Sequence, residues 1–91
     1  MPSVRIPTPL RRCTGGRARV EVEGEDVAEV LAALERAHPG IGSRVLDDAG
    51  RLRGFVHVFV GDVDVRAARG LATPVPPDAT IVIVPAVAGG R

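Results

Sequence analysis

The stretch EDVAEVLAALERAHPG, residues 25–40, has the clearest hydrophobic periodicity in the sequence. Its apolar residues at helical spacing are Val27, Val30, Leu31, Leu34 and Ala37. Asp26 and Glu29 match a capping box at the start, and His-Pro-Gly at residues 38–40 is a stop signal. A helix with one apolar stripe covers one face of a sheet, so this stretch predicts an α+β fold.

Two alternating segments precede this helix. Residues 3–10, SVRIPTPL, predict a strand, in which Pro7 and Pro9 limit the hydrogen bonding and suit a strand end or a bend. Residues 18–24, ARVEVEG, predict a second strand with its valines facing inward. Between them, CTGG at residues 13–16 is typical of a turn, because glycine accepts backbone angles that other residues resist. Together these segments predict a hairpin.

The segments after the helix complete a mixed sheet. Residues 43–46 predict a short helical turn, and FVHVFVGDVDVR at residues 55–66 predicts a strand, a tight Gly-Asp turn and a short returning strand. A proline-rich loop, residues 70–79, then leads to TIVIVPA at residues 80–86. This last strand is expected at the centre of the sheet, because both of its faces are apolar.

Length and charge exclude several classes of partner. The chain has 91 residues and a formal net charge of +1, with acidic and basic residues interspersed, so one small domain without a strong electric field is expected. Only two residues are aromatic, which leaves few surfaces for base stacking, and we expect no nucleic acid partner. No apolar run approaches the roughly 18 residues of a membrane span, and the N-terminus lacks a signal-peptide core. We therefore expect a cytoplasmic protein without a membrane partner.

The side chains that could carry chemistry are few and scattered. Cys13 is the only cysteine, so it cannot form an internal disulfide, and Cys13, His38 and His57 do not make up a metal-binding set. No nucleophile, base and orienting group are arranged for catalysis. We expect no catalytic residue, no bound metal and no bound cofactor, and hence a protein that is not an enzyme.

The strand FVHVFV, residues 55–60, has two different faces. Phe55, His57 and Phe59 lie on one face, and the valines lie on the other. A histidine within the aromatic set favours an open face opposite the helix, and exposed aromatic residues mark partner surfaces. The alternative is that the phenylalanines fill the core and the valines face outward.

The chain ends in PAVAGGR, residues 85–91. Such small residues fit either a frayed end or a thin probe that passes through a narrow opening. Extended residues 86–90 reach about 15 Å beyond the last strand, at roughly 3.3 Å per residue. That length is sufficient to enter the active site of a partner.

Four segments carry a resemblance to a known family. They are IPTPLRRCTGG, DVR, GLATPV and IVPAVAGG, at residues 6–16, 64–66, 70–75 and 83–90. Through them, residues 4–90 closely resemble the bacterial ubiquitin-like sulfur carriers of the MoaD/ThiS type, above all those of cysteine biosynthesis. The resemblance implies a β-grasp domain at residues 1–85 and a flexible C-terminal tail at residues 86–91. It also favours the open aromatic face as the docking surface.

The resemblance implies a chemical role for the tail. An adenylating enzyme similar to MoeB and ThiF would use ATP to activate the Gly90 carboxylate, and a sulfurtransferase step would convert it to a thiocarboxylate. Gly89 and Ala88 keep the tail thin enough to enter that enzyme. Arg91 follows Gly90 and would have to be removed first, for which the resemblance implies a zinc metallopeptidase. The alternative is that Arg91 is a harmless extra residue.

The acceptor of the sulfur stays open at this point. The resemblance favours a cysteine synthase as the sulfur-using partner, and delivery to a thiosugar, a thiazole or molybdopterin is the alternative within the same class. A protein-binding module or protein modifier is the alternative from a different class. An isopeptide bond to a substrate lysine would distinguish a modifier, and activity without the glycines would distinguish simple docking.

Overall fold

A computed structural model describes residues 1–85, and the predicted tail at residues 86–91 lies outside the described residues. The strands are β1 (Ser3–Arg5), β2 (Arg19–Glu21), β3 (Val56–Val60), β4 (Val63–Asp64) and β5 (Thr80–Pro85). The α-helices are α1 (Val27–Ala37) and α2 (Gly42–Val45). Three short 3-10 helices lie at Thr8–Thr14, Val65–Ala67 and Gly70–Ala72.

The strands form one five-stranded mixed sheet in the order β2-β1-β5-β3-β4. Strand β5 lies at the centre, parallel to β1 and antiparallel to β3, so the central position predicted for it is confirmed. Strands β1 and β2 form the predicted antiparallel hairpin, and β3 and β4 form the second one. With α1 covering one face of the sheet, this is the expected α+β, β-grasp arrangement.

Helix α1 begins with one half of the predicted capping box. Asp26 Oδ1 accepts a hydrogen bond of 2.8 Å from the Glu29 backbone N–H and so satisfies a donor that the first turn of a helix leaves without a partner. The Glu29 carboxylate does not bind the Asp26 N–H that the motif requires; its Oε1 atom accepts a hydrogen bond of 2.9 Å from the backbone N–H of Glu25, the residue before the N-cap. The end of the helix is as predicted, since His38 is the C-cap.

The apolar stripe of α1 is one residue shorter than its spacing predicts. Four of its members are buried: Val27, Val30, Leu31 and Leu34. The expectation for Ala37 is wrong, because the last turn of α1 carries the chain out to the exposed Pro39 and Gly40, and Ala37 is exposed with them. The core consists of this stripe and the sheet residues that face it, among them Val4, Val58 and Ile81.

The first predicted strand is wrong beyond its first half. Strand β1 ends at Arg5, and residues 8–14 form a 3-10 helix that buries Leu10 and Thr14. The physical reason is that Pro7 and Pro9 lack the N–H groups that a sheet ladder requires, whereas the first turn of a helix leaves N–H groups unused anyway. None of the helices within residues 1–85 has the length and hydropathy of a membrane span.

Candidate functional site

The face of the sheet opposite α1 carries the aromatic residues of β3. Val56 and Val58 are buried against the helix, whereas Phe55, just before the strand, is 49% exposed and His57 and Phe59 are half-buried. The alternative in which the phenylalanines fill the core is therefore wrong. Their use as a docking surface is not tested by burial and stays a prediction.

The sheet register places two more apolar side chains beside the aromatic ones. Val82 lies opposite Phe59, and Val84 lies opposite His57. Val84 is 41% exposed, and Val82 is half-buried. We call the set of Phe55, Phe59, Val82 and Val84 the open patch. These residues lie on or next to the adjacent strands β3 and β5, with His57 between the two phenylalanines, and give this face exposed apolar area of the kind that partners bind.

Charged residues border the open patch on both sides. Exposed Arg5 lies opposite Val82 on the β1 side, and Asp64 lies opposite Phe59 on the β4 side. The Asp64 Oδ2 atom is 3.5 Å from the His57 Nδ1 atom, so the two form an ion pair when the imidazole is protonated. An apolar centre with a polar border is the usual composition of a protein interface.

Sequence reasoning found the β3 half of this surface but missed Val82, Val84, Arg5 and Asp64. The alternation in TIVIVP places the outer valines of β5 on one face, but both faces of that strand are apolar, so the sequence does not tell which one is open. In the structure only the Ile81 and Ile83 side of β5 is buried. Recognising the valines as neighbours of Phe59 requires the pairing of strands that lie far apart in the sequence.

The tail begins at the edge of the open patch. Strand β5 ends at Pro85, which lies opposite Val56, the residue that follows Phe55. The last residue of β5 therefore lies beside the exposed phenylalanine. Ala88, Gly89, Gly90 and Arg91, the predicted site residues of the tail, lie outside the described residues.

The remaining candidates do not form a chemical site. Cys13 is a half-buried free thiol, and no group of three His, Cys, Asp or Glu side chains within residues 1–85 could hold a metal ion. A surface groove of about 500 Å³ lies between α1, α2 and the loop at residues 47–50, with Leu31, Leu46 and Leu71 among its lining residues.

Three carboxylates line this groove, those of Glu35, Asp47 and Asp48, and the first two accept hydrogen bonds from the backbone. N–H groups of Gly40 and then Gly42 hydrogen-bond to the Glu35 carboxylate and lower its pKa. The Arg51 N–H does the same for the pKa of Asp47. Both groups stabilise turns, and neither has the raised pKa that a general acid near neutral pH requires.

Comparisons with known proteins agree with this geometry. The model of the ThiS family matches residues 4–90. The sulfur carrier protein CysO of Mycobacterium tuberculosis strain H37Rv is 42% identical over 90 residues, which is 97% of each chain. A chain of the crystal structure of the Amycolatopsis orientalis BexX/CysO complex is 42% identical, with a TM-score of 0.93 over 99% of this chain and 100% of that one.

A further solved structure extends the likeness beyond CysO. The small archaeal modifier protein 1 of Haloferax volcanii is 27% identical, with a TM-score of 0.76 over 94% of this chain and 97% of that one. All these matches cover nearly the whole chain, and the family model includes both the sheet and the tail sequence up to Gly90. The chain belongs to the ThiS family of ubiquitin-like sulfur carriers.

Proposed function

We propose that this protein carries sulfur as a thiocarboxylate on Gly90 and delivers it to a biosynthetic enzyme. The observation that carries the proposal is that Pro85, the residue before the tail sequence, pairs with Val56 beside the open patch. A partner that binds the patch would receive the small residues of the tail directly in its active site. Membership of the ThiS family and the likeness to the sulfur carrier CysO support the same role.

The proposed chemistry begins with activation of the Gly90 carboxylate. A carboxylate oxygen of Gly90 attacks the α-phosphorus of ATP on the activating enzyme, which forms an acyl-adenylate and releases pyrophosphate. Hydrosulfide, or the equivalent group of a sulfurtransferase, then attacks the acyl carbon and AMP leaves with the electron pair. The product is a Gly90 thiocarboxylate, which is ionised at neutral pH and strongly nucleophilic. Because the first step consumes ATP, we place the reaction in the cytoplasm.

We propose that Arg91 is removed before this chemistry, because Arg91 follows Gly90 and the Gly90 carboxyl group is then part of a peptide bond. We propose that a zinc metallopeptidase hydrolyses the Gly90–Arg91 bond and leaves the carboxylate on Gly90. A zinc-bound water attacks the peptide carbonyl in such enzymes, so the step requires no other reactant. The likeness to CysO favours cysteine biosynthesis as the destination of the sulfur, with a cysteine synthase as the sulfur-using partner.

Intact mass spectrometry tests the proposal. The full chain and a chain that ends at Gly90 are incubated with ATP, a sulfide donor and the activating enzyme of the same organism. Only the chain that ends at Gly90 is expected to gain the mass difference between one sulfur and one oxygen. If neither chain changes while the enzyme is active on another carrier, the proposal is overturned. Conversion of the full chain at Arg91 would overturn the need for processing.

The open patch gives a second expected result. Phe55→Ala and Phe59→Ala are each expected to raise the KM of the activating enzyme for the carrier roughly tenfold, because truncating a buried interface aromatic removes much of its binding energy. The kcat value should stay within about twofold, since neither residue is in the reacting tail. Steady-state kinetics of thiocarboxylate formation measure both constants.

Val63→Ala is the matched control for this measurement. Val63 is 47% exposed, close to the 49% of Phe55, but it pairs with Val60 and so lies outside the open patch. Its replacement should leave KM unchanged. Equal effects of all three substitutions would mean that the open patch is not the docking surface.

A second candidate function is protein modification, and the likeness to the small archaeal modifier protein favours testing it. In that case the activated Gly90 carbonyl would form an isopeptide bond with a lysine amine of another protein. The chain itself contains no lysine, so it cannot supply that amine from its own side chains. Peptide mass spectrometry of host proteins would then detect lysines that carry a remnant ending in Gly90.

A further inference from the structure

The guanidinium of Arg66 donates hydrogen bonds to two backbone carbonyls next to Phe55. Its Nη1 atom donates a hydrogen bond of 2.6 Å to the Val56 carbonyl, and its Nη2 atom donates one of 2.7 Å to the Arg53 carbonyl. Arg66 belongs to the DVR segment that carries part of the family resemblance, but the proposed chemistry gives this residue no role.

The early end of β4 explains why an arginine is needed at this position. Strand β4 pairs with β3 only at Phe59 and Val60. The chain then turns into the 3-10 helix Val65–Ala67, because Asp64 Oδ1 accepts a hydrogen bond of 2.9 Å from the Arg66 backbone N–H. The start of β3 is therefore left without a strand on that side. The Arg66 guanidinium supplies N–H donors where the missing strand would have supplied backbone N–H groups.

Both carbonyls belong to the turn that presents Phe55. The Val56 N–H donates a hydrogen bond of 3.0 Å to the Arg53 carbonyl, so residues 53–56 form a turn with Phe55 in its second half. The guanidinium binds the carbonyl at each end of this turn. Val56 is also the residue opposite Pro85, where the tail begins. One side chain thus fixes the exposed phenylalanine in relation to the start of the tail.

We propose that Arg66 is a positioning residue for docking: it holds the turn at residues 53–56 so that Phe55 and the tail are presented together to the activating enzyme. This inference rests on the proposed function. The Arg66 guanidinium binds the carbonyls at the two ends of the turn, so it acts through the position of Phe55. A planar fork with fixed donors suits this role better than a single ammonium group, which cannot bind two carbonyls with the same geometry.

Kinetics of thiocarboxylate formation test the functional part, with all variants made in the chain that ends at Gly90. Arg66→Met keeps the aliphatic bulk and removes the donors, and it is expected to raise KM roughly tenfold while kcat stays within about twofold. Arg66→Lys should recover only part of the loss. Arg69→Met, which removes the same charge from the next exposed arginine along the chain, should leave KM unchanged. An unchanged KM for folded Arg66→Met overturns the inference.

A double-mutant cycle separates positioning from a general loss of stability. Because Arg66 acts through Phe55, adding Phe55→Ala to Arg66→Met should raise KM little further, and the two effects should be far from additive. A merely structural Arg66 would give independent effects that multiply. Multiplied effects therefore overturn the inference, even if each single substitution raises KM.

NMR relaxation of the backbone tests the inference independently of activity. Arg66→Met is expected to lower the order parameters of residues 54–56 while the strands elsewhere in the sheet keep theirs. Unchanged order parameters in this turn overturn the inference. If the parent chain ending at Gly90 is not converted at all, the proposed function fails, and the NMR result alone decides whether Arg66 holds the turn.

Discussion

Replacing Gly89 by valine is expected to lower the rate of Gly90 adenylation more than about 100-fold. A displacement of the reacting carboxylate by about 1 Å is enough to slow a reaction by about that factor. Gly89 is the residue immediately before the activated carboxylate. A branched side chain there widens a tail that has to pass through a narrow opening, and it stiffens the backbone that has to adapt to the active site. The measurement is single-turnover formation of the acyl-adenylate, followed by pyrophosphate release.

The same substitution should leave the free energy of unfolding unchanged. Gly89 follows Pro85, the last residue of β5, in the sequence, and we expect its replacement to leave the sheet ladder and the core unchanged. Gly89→Ala is the graded control and should lose less activity than Gly89→Val. Normal activation of a folded Gly89→Val protein would contradict the requirement for a thin tail. A lower free energy of unfolding alongside the lower activity would contradict the prediction that the tail contributes nothing to the stability of the domain.

Replacing Gly24 by alanine is expected to lower the free energy of unfolding by about 3 kcal/mol, the upper part of the range for overpacking. A Cβ atom at Gly24 would lie 2.6 Å from the Val30 backbone N and 2.7 Å from Val30 Cγ2. Val30 is fully buried in the apolar stripe of α1, so its backbone cannot move aside without displacing the helix from the core. Urea unfolding followed by far-UV circular dichroism measures the loss.

Gly54→Ala is the matched control for this prediction. A Cβ atom at Gly54 would meet nothing within 4 Å, and the φ angle of Gly54 is not in the left-handed region. Its replacement should change the free energy of unfolding by less than about 0.5 kcal/mol, as is usual for surface substitutions. A loss below about 1 kcal/mol for Gly24→Ala would show that the contact with Val30 relaxes at little cost.

Much of the fold was predictable because its signals are local. The capping box and the stripe of α1 involve residues within one or two helical turns of each other, and the alternation of β3 is visible within five residues. The error at residues 8–14 has a different cause. Alternation favoured a strand up to Leu10, with an end or a bend at Pro7 and Pro9, and CTGG favoured a turn at residues 13–16. Only the packing of Leu10 and Thr14 selects a 3-10 helix at residues 8–14.

The candidate site was predictable only in part for the same physical reason. His57 and Phe59 follow from the period of one strand, whereas Val82 and Arg5 join them through a register set by the packing of β1, β5 and β3. The hydrogen bonds from Arg66 to the Arg53 and Val56 carbonyls likewise depend on where β4 ends. No short-range pattern specifies such contacts.

The sequence by itself determined the helix and its caps, the two faces of β3 and the small residues of the tail, because each of these depends on neighbours in the chain. The tertiary structure alone decided which side chains share the open patch and that Pro85, the last residue of β5, lies beside Phe55. It also decided which side chain holds the turn at Phe55. Those features depend on contacts between segments that are far apart in the chain, and their register is fixed only when the whole core is buried.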